Sequence, residues 1–240
     1  MLFNKVNLRS FINQNCALCQ LHHCDTSGLC EACHADLPWL LNPCQHCALP
    51  LNLSCNPSQG LCPTCRRGDS AYDRIRAAFQ YQFPMNSLLP QIKYHQNPVA
   101  LGWLSEVFAR WLISDLETPP QALAYVPMRP WRALLRGFNQ SELLCRALSQ
   151  KLDIPVLEGA LKKIRSTPRQ MTLDAEARQR NLLNAFYAQG ELPRHVALID
   201  DICTTGSTAE AIAQALKMAG CEVVEVWVLA RTPQPRHLDE

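Results

Sequence analysis

The sequence carries little net charge and has no long run of apolar residues. Its formal net charge is +2 over 240 residues, which excludes the uniformly basic coat of a histone-like protein. A hydrophobic content of 48% and a charged content of 18% exclude the composition of disordered chains. The most apolar stretch, residues 100–113, contains Glu106 and Arg110 and falls short of the ~20 apolar residues of a membrane span. We therefore expect a soluble globular protein with no membrane span.

Residues 1–15 also lack the apolar core of a signal peptide. Asn4, Asn7, Ser10 and Asn13 interrupt this stretch before such a core can form. The sequence therefore predicts a cytoplasmic protein. In a reducing compartment, clustered thiols are more often metal ligands than disulfides.

Cysteine is scarce in most of the chain and abundant in the first quarter. Ten of the 13 cysteines lie in residues 16–65, and Cys145, Cys203 and Cys221 are the others. The composition therefore predicts two domains, a cysteine-rich module at 1–68 and a larger domain at 69–240.

Eight of the clustered cysteines form four Cys-x-x-Cys knuckles. Ten residues separate the first knuckle from the second, and fourteen separate the third from the fourth. Two such knuckles can supply four thiolates to a tetrahedral zinc ion at ~2.3 Å, which predicts a double zinc ribbon with two structural zinc ions. Sequential pairing is preferred over an interleaved arrangement, which stays open. The predicted ligands are Cys16, Cys19, Cys30, Cys33, Cys44, Cys47, Cys62 and Cys65.

Six other residues could act as replacement ligands in this module. We expect them to be surface residues or neighbours of the metal sites, with substitution for a knuckle cysteine as the alternative. They are Cys24, Cys55, His22, His23, His34 and His46.

From residue 69 onward, strand-like and helix-like patterns alternate. Strands are predicted at residues 72–82, 122–126, 196–201 and 222–230, and helical periodicity at residues 84–94, 98–116, 139–152 and 207–218. Unbroken apolar strands alternating with helices indicate an α/β domain with a parallel sheet covered on both faces.

Residues 196–210 hold the most informative pattern. An apolar strand ends in Asp200 and Asp201, at the edge of the sheet where open α/β folds bind ligands. Residues 204–208, Thr-Thr-Gly-Ser-Thr, then open a helix, and Gly206 permits the turn that lets backbone N–H groups converge on an anion. Carboxylates beside such a loop suit ribose hydroxyls or a hydrated magnesium ion. The pattern predicts a sugar-phosphate site.

These residues resemble known families. Val-Ala-Leu-Ile-Asp-Asp-Ile-Cys-Thr-Thr-Gly-Ser-Thr at residues 196–208 resembles the phosphoribosyl pyrophosphate (PRPP) motif of type I phosphoribosyltransferases. More narrowly, nearly the whole chain resembles the ComF/GntX family of competence proteins. That resemblance rests on the cysteine knuckles and on Arg136-Gly137-Phe138-Asn139-Gln140, Arg165-x-Thr167-x-x-Gln170 and Arg178-x-x-Asn181.

The resemblance implies that residues 69–240, which follow the zinc-ribbon module in sequence, form a type I phosphoribosyltransferase-like parallel sheet flanked by helices. It also implies a phosphoribosyltransferase, a pentosyl-group glycosyltransferase, that binds PRPP with magnesium and acts in DNA uptake and natural transformation. Asp200, Asp201 and Arg136 would be catalytic. The implied PRPP-binding residues are Asp200, Asp201, Thr204, Thr205, Gly206, Ser207, Thr208, Met128 and Arg129.

Residues 129–180 form a basic segment. They contain eleven Lys and Arg against five Asp and Glu. Such a segment can neutralise pyrophosphate, contact a nucleic-acid backbone, or form a solvated helix face. Two alternative functions therefore stay open: a nucleobase-salvage phosphoribosyltransferase, and a catalytically silent adaptor that binds single-stranded DNA. DNA-uptake proteins are further candidate partners.

Overall fold

The computed structural model describes residues 15–24, 27–51, 60–68, 70–94, 99–128, 137–164 and 185–233. The chain forms two compact units, Met1–Leu37 and Pro38–Glu240. Within the described residues, no helix combines the length and the apolar character needed to cross a bilayer.

The first unit is built around two short turns. Helix α1 (Glu31–Ala35) begins directly after Cys30 and carries Cys33. The other turn is closed by the Gln20 N–H, which donates to the Cys16 carbonyl at 2.9 Å, and Gln20 adopts a positive φ of 57°. Each turn therefore presents two cysteines.

The second unit contains a four-stranded parallel sheet. Its strands are β1 (Arg74–Gln80), β2 (Ala122–Tyr125), β5 (His195–Cys203) and β6 (Val223–Arg231), in the order β1-β6-β5-β2. Consecutive residues 196–199 of β5 are all 0% exposed. Because successive side chains of a strand point to opposite faces, both faces of the sheet are covered. This confirms the predicted parallel α/β architecture.

Four helices belong to this unit: α2 (Met85–Tyr94), α3 (Val99–Asp115), α4 (Gln140–Leu152) and α5 (Ser207–Met218). Helix α4 contacts α3, β2 and β5, whereas α5 contacts β4, β5 and β6, where β4 spans Phe186–Ala188. Every predicted helix and strand is confirmed to within two residues at each end. An additional antiparallel pair, β3 (Leu161–Lys163) with β4, was not predicted.

The second cysteine quartet belongs to the core of this unit. Cys44, Cys47 and Cys62 are buried in the same apolar cluster as Leu198 and Ile212. The Ile75 N–H of β1 also donates to the His46 carbonyl at 2.7 Å. The second quartet and the sheet therefore share one core, and the division at residue 68 stays a prediction from composition.

Residues 38–40 lie along the outer side of β1. The Leu40 N–H donates to the Ala78 carbonyl and the Gln80 N–H donates to the Pro38 carbonyl, both at 2.8 Å. The Trp39 ring packs on Phe79 with 4.9 Å between ring centroids. This edge of the sheet is therefore partly paired.

A buried ion pair joins the two neighbouring strands β1 and β6. Arg76 Nε lies 2.9 Å from Glu225 Oε2, and Arg76 Nη1 also pairs with Asp115. The Trp227 indole N–H donates to the same Glu225 oxygen at 2.7 Å. Arg76 and Glu225 are 5% and 7% exposed, so each charge depends on the other for compensation.

Candidate functional site

The candidate site lies at the carboxyl ends of β2 and β5. The two strands are parallel neighbours, with Tyr125 in register with Ile199, and the Val126 N–H donates to the Ile199 carbonyl at 3.1 Å. Parallel strands end at the same edge, so the loop after β2 begins, at Val126, beside the part of β5 that carries Asp200. Met128 of this loop is partly buried.

Asp200 is held by two donors. The Ser141 hydroxyl donates to Asp200 Oδ1 at 2.8 Å, and the Asp201 backbone N–H donates to the same oxygen at 2.9 Å. Together they fix the orientation of the carboxylate.

The start of α4 positions Ser141. Asn139 is the N-cap of this helix, and its side-chain oxygen accepts from the Ser141 N–H at 3.2 Å. Asn139 Nδ2 donates to the Val126 carbonyl at 3.0 Å. The capping residue Asn139 therefore contacts both the loop after β2 and Ser141, the residue that donates to Asp200.

The pKa of Asp200 is raised to about 7, first by burial and then by the neighbouring charge of Asp201. The ionised form is the one that a bound cation or donor groups would favour. A carboxyl with this pKa changes its charge near neutral pH, which makes this position a candidate functional group.

Lys93 of α2 faces the second carboxylate. Its Nζ lies 3.9 Å from Asp201 Oδ2, while Asp201 Oδ1 accepts from the Ile202 N–H at 3.0 Å. Neither Lys93 nor Ser141 was among the predicted site residues. No sequence pattern around Lys93 indicates a site residue. Ser141 could have been predicted, because it lies in the first turn of a predicted helix.

The predicted anion-binding loop has the expected backbone. Gly206 has φ of 82° and is the N-cap of α5, a conformation that favours glycine. The Thr205 and Ser207 hydroxyls are 2.8 Å apart, and the Ser207 N–H donates to Thr205 Oγ1 at 3.3 Å. The structure places residues 204–208 at the N-terminus of a helix of 12 residues, where backbone N–H groups favour anions.

The carboxylate and the loop line the same cavity. A cavity of ≈ 50 Å³ is lined by Asp200 and by all of residues 204–209, with Val126 among its other walls. The structure therefore brings together Asp200, the Thr-Thr-Gly-Ser-Thr loop and Val126 at the start of the loop after β2.

Gln140, the first residue of α4, has an unused donor. The residue is 4% exposed, and within the described part of the chain its Nε2 has no hydrogen-bond partner. A buried donor without a partner costs about 1–3 kcal/mol. Gln140 directly precedes Ser141 in sequence, and an unpartnered buried donor is typical of a position that a water or ligand completes.

Several predicted site residues lie outside the described residues. Two of them are Arg129 and Arg136. The named positions of the two later motifs and one spare cysteine also lie outside: Arg165, Thr167, Gln170, Arg178, Asn181 and Cys55. Of the basic segment, Lys162 and Lys163 are described in β3, and the Lys163 ammonium lies 5.1 Å from the centroid of the Phe186 ring.

The eight knuckle cysteines form two groups that could each hold a metal ion. Cys16, Cys19, Cys30 and Cys33 form one, and Cys44, Cys47, Cys62 and Cys65 the other; in each, all sulfur atoms lie within 4.8 Å of one another. Four ligands at ~2.3 Å around a tetrahedral zinc ion would be about 3.8 Å apart. The Cys19–Cys30 and Cys47–Cys62 sulfur pairs are 3.9 and 3.7 Å apart. The predicted sequential pairing is confirmed, and the interleaved arrangement is not adopted.

In each group a thiol with a lowered pKa lies beside a thiol whose pKa is raised, because burial raises the pKa of Cys33 and that of Cys65 to about 12. A hydrogen bond with Cys47 lowers the pKa of Cys44 to about 4, and a hydrogen bond with His22 lowers the pKa of Cys19 to about 5. Thiolates are the form that binds metal. Neither quartet leaves a ligand position for substrate, so a structural role fits both.

The chain is similar to bacterial proteins that are named for competence and for DNA utilization. It is 33% identical over 240 residues to "Competence protein F" of Haemophilus influenzae, covering 93% of this chain and 100% of that protein. It is 34% identical over 212 residues to "DNA utilization protein YhgH" of Escherichia coli K12, covering 85% of this chain and 91% of that protein. No protein-family model matches the chain.

Two phosphoribosyltransferases are among the solved structures that align with part of the chain. Adenine phosphoribosyltransferase from Leishmania tarentolae aligns with a TM-score of 0.38 and 15% identity over 59% of this chain and 74% of that one. Purine phosphoribosyltransferase from Pyrococcus horikoshii aligns with a TM-score of 0.34 and 16% identity over 55% and 82% of the two chains.

Proposed function

Because the chain belongs to the competence protein F family, we propose that it is a phosphoribosyltransferase-like protein that binds PRPP with magnesium and acts in DNA uptake and natural transformation. One observation carries the ligand part of the proposal: Asp200 and the Gly206 loop line the same cavity at the edge of a parallel sheet. The names of the competence and DNA-utilization relatives support the cellular part.

The 5′-phosphate of PRPP would bind at residues 204–208. The left-handed Gly206 turns the backbone so that N–H groups at the start of α5 point toward one anion. The Thr205 and Ser207 hydroxyls, 2.8 Å apart, would add donors. The ribose hydroxyls would then lie toward Asp200 and Asp201.

The carboxylates of Asp200 and Asp201 would bind the ribose and the magnesium ion. Asp200, already oriented by Ser141, would accept from ribose hydroxyls and hold magnesium through its waters, as this ion prefers few protein ligands. The Lys93 ammonium, 3.9 Å from Asp201 Oδ2, would place a positive charge beside the acidic pair while the site is empty. Met128 and Arg129 on the loop after β2 would contact the pyrophosphate group, with Arg136 nearby in sequence.

Transfer would break the bond between ribose C1 and its pyrophosphate oxygen and form a bond from C1 to the acceptor. The electron pair leaves with pyrophosphate, and the acceptor loses a proton. Positioning and charge stabilisation would supply most of the acceleration. Magnesium, when bound, would neutralise charge on the leaving pyrophosphate.

We propose zinc as the metal of both cysteine quartets. Four thiolates without an open position fit a structural ion. Each ion would stabilise its unit rather than take part in the reaction.

Calorimetry with PRPP and magnesium tests the ligand proposal. We expect saturable binding by the wild type and loss of binding in Asp200→Ala/Asp201→Ala. Glu191→Ala, which removes an exposed carboxylate between β4 and β5, is the matched control and should bind normally. Absence of binding by the wild type would contradict the proposal.

A pyrophosphate-release screen separates the candidate activities. Turnover that depends on a purine or pyrimidine base would identify a salvage enzyme, whereas PRPP binding without turnover on any base, amine or single-stranded DNA would favour the adaptor. Salt-sensitive binding of single-stranded DNA, reduced in Lys162→Gln/Lys163→Gln, would support the DNA-contacting role.

The cellular role has its own test. A transformable bacterium that lacks its own family member should regain transformation when it expresses this chain, but not when it expresses Asp200→Ala/Asp201→Ala. Equal transformation frequencies with the two proteins would show that transformation does not depend on the sugar-phosphate site.

A further inference from the structure

Arg231, the last residue of β6, joins the second cysteine quartet to the Gly206 loop. Its side chain is buried, with 5% of the residue exposed. On one side, Arg231 Nε donates to the Cys47 carbonyl at 3.0 Å. On the other side, Nη1 donates to the carbonyls of Cys203, at 3.2 Å, and Thr204. One guanidinium therefore contacts a predicted metal ligand and the first residue of the predicted phosphate loop.

A second set of contacts also joins the second cysteine quartet to the Gly206 loop. His46, between the ligands Cys44 and Cys47, stacks on Tyr72 with 5.0 Å between ring centroids. The Tyr72 hydroxyl in turn lies 3.9 Å from the position that a Cβ would take on Gly206. The same cysteine knuckle therefore approaches the loop through Arg231 and through Tyr72.

The quartet and the loop also line a second, larger cavity. Its volume is ≈ 510 Å³, and its walls include Cys47 and Cys65 on one side and Thr205–Ser207 on the other. The predicted metal site and the predicted phosphate loop therefore border the same cavity within one compact unit.

The carbonyl of Cys47 can hold Arg231 in place only while its knuckle keeps its shape. The knuckle turn contains Ala48 at a positive φ of 54°, a strained conformation for a residue other than glycine. A metal ion bound by Cys44, Cys47, Cys62 and Cys65 would stabilise that turn. Release of the ion would free the Cys47 carbonyl and with it one anchor of Arg231.

We propose that Arg231 is a positioning residue that couples the second metal site to the sugar-phosphate loop, so that metal and sugar phosphate each strengthen binding of the other. This inference rests on the proposed function, since it takes residues 204–208 as the phosphate site. Coupling between two sites is reciprocal, and typical values are about 5–150-fold in affinity.

The test measures metal affinity as a function of sugar phosphate. In Cys33→Ser, which disables the first quartet, the zinc affinity of the second quartet is measured by competition with a chelator. Ribose 5-phosphate is the probe because it needs no magnesium, which the chelator would also bind. We expect saturating ribose 5-phosphate to raise zinc affinity at least fivefold.

The first quartet supplies the control. In Cys65→Ser, zinc bound by the first quartet should have the same affinity with and without ribose 5-phosphate. In Cys33→Ser/Arg231→Gln, the ligand-dependent gain in zinc affinity should disappear. If that variant fails to fold, Cys33→Ser/Arg231→Lys replaces it, because one ammonium cannot reproduce the two-sided contact of a guanidinium.

Each outcome is decisive. Ribose 5-phosphate that binds, by calorimetry, without changing zinc affinity would overturn the coupling and leave the proposed function standing. A gain that persists in both Arg231 variants would overturn the role of Arg231. If neither ribose 5-phosphate nor PRPP binds to the zinc-loaded wild type, the proposed function fails and the coupling fails with it.

Discussion

The Ser141 hydroxyl donates a 2.8 Å hydrogen bond to Asp200 Oδ1, across 59 residues of sequence. The first turn of α4 therefore fixes the carboxylate that follows the apolar part of β5. Asn139 holds both Ser141 and the loop after β2. The acidic pair is thus oriented before any ligand arrives, which lowers the ordering cost of binding.

Ser141→Ala should weaken binding of PRPP with magnesium roughly tenfold, because a hydrogen bond to a charged group contributes about 1.5–3 kcal/mol. The hydrogen bond from Ser141 also lowers the pKa of Asp200, so its loss should raise that pKa further. Calorimetry at pH 7 measures the effect. Ser149→Ala, in the last turn of the same helix, is the control and should change affinity less than twofold.

Asp200 should make PRPP–magnesium binding pH-dependent near neutrality. Its pKa is raised to about 7, so the carboxyl is largely protonated at pH 6 and ionised at pH 8. Affinity should rise across this interval, with proton release at pH 7. Calorimetry in buffers of different ionisation enthalpy detects that proton, and equal heats in all of them would contradict the assignment.

The same carboxyl should reduce stability at high pH. Its pKa in the folded state, about 7, lies above its ordinary value of 3.8, so its stabilising contribution is complete below pH 3.8 and is lost as pH rises through about 7. Asp200→Asn should therefore have a higher melting temperature than the wild type at pH 8 and lack PRPP binding. At pH 5 the difference should be smaller, because only part of the contribution has been lost there.

Gly206→Ala should impair the phosphate loop. The glycine has φ of 82°, and a non-glycine residue in that region costs about 1–3 kcal/mol. We expect a lower melting temperature together with loss of ribose 5-phosphate binding. Gly102→Ala in α3 is the matched control, since a Cβ there meets nothing within 4 Å, and it should stabilise the protein by about 0.5–1 kcal/mol.

Arg76→Met should be among the most destabilising single changes. It would leave Glu225 buried without the guanidinium that lies 2.9 Å away, a loss of about 3–5 kcal/mol. Urea unfolding measures it. Arg76→Met/Glu225→Gln should recover part of the loss, because a glutamine oxygen can still accept from Trp227; a double variant no more stable than the single one would show that the charge of Glu225 is not the cause.

The sequence predicted those parts of the structure that depend on neighbouring residues. The start of α5 at Ser207 follows from Gly206 and the hydroxyl residues around it, because capping chemistry is local. The apolar run of β5 indicated a strand buried on both faces for a similar reason. Strands β3 and β4 were missed because three residues carry too little periodicity to distinguish a strand from a loop.

The contacts that complete the site depend on tertiary structure. Lys93 reaches Asp201 from a helix more than a hundred residues away in sequence, and no spacing rule links the two. The burial of Cys44 and Cys47 in one cluster with Ile212 likewise follows from no spacing rule. Knuckle spacing predicts the ligands of a metal, but not the surface on which the knuckle packs.

The short stretch Pro38–Leu40 beside β1 has a consequence for association between molecules. An unpaired outer strand exposes N–H and C=O groups that can pair with a strand of another chain. Here the Ala78 carbonyl and the Gln80 N–H are already bonded to Leu40 and Pro38. A truncated protein that begins at residue 69 would lack both Pro38–Leu40 and the buried cysteine knuckles. Its strand β1 would then be an exposed sheet edge, and we expect it to aggregate through that edge.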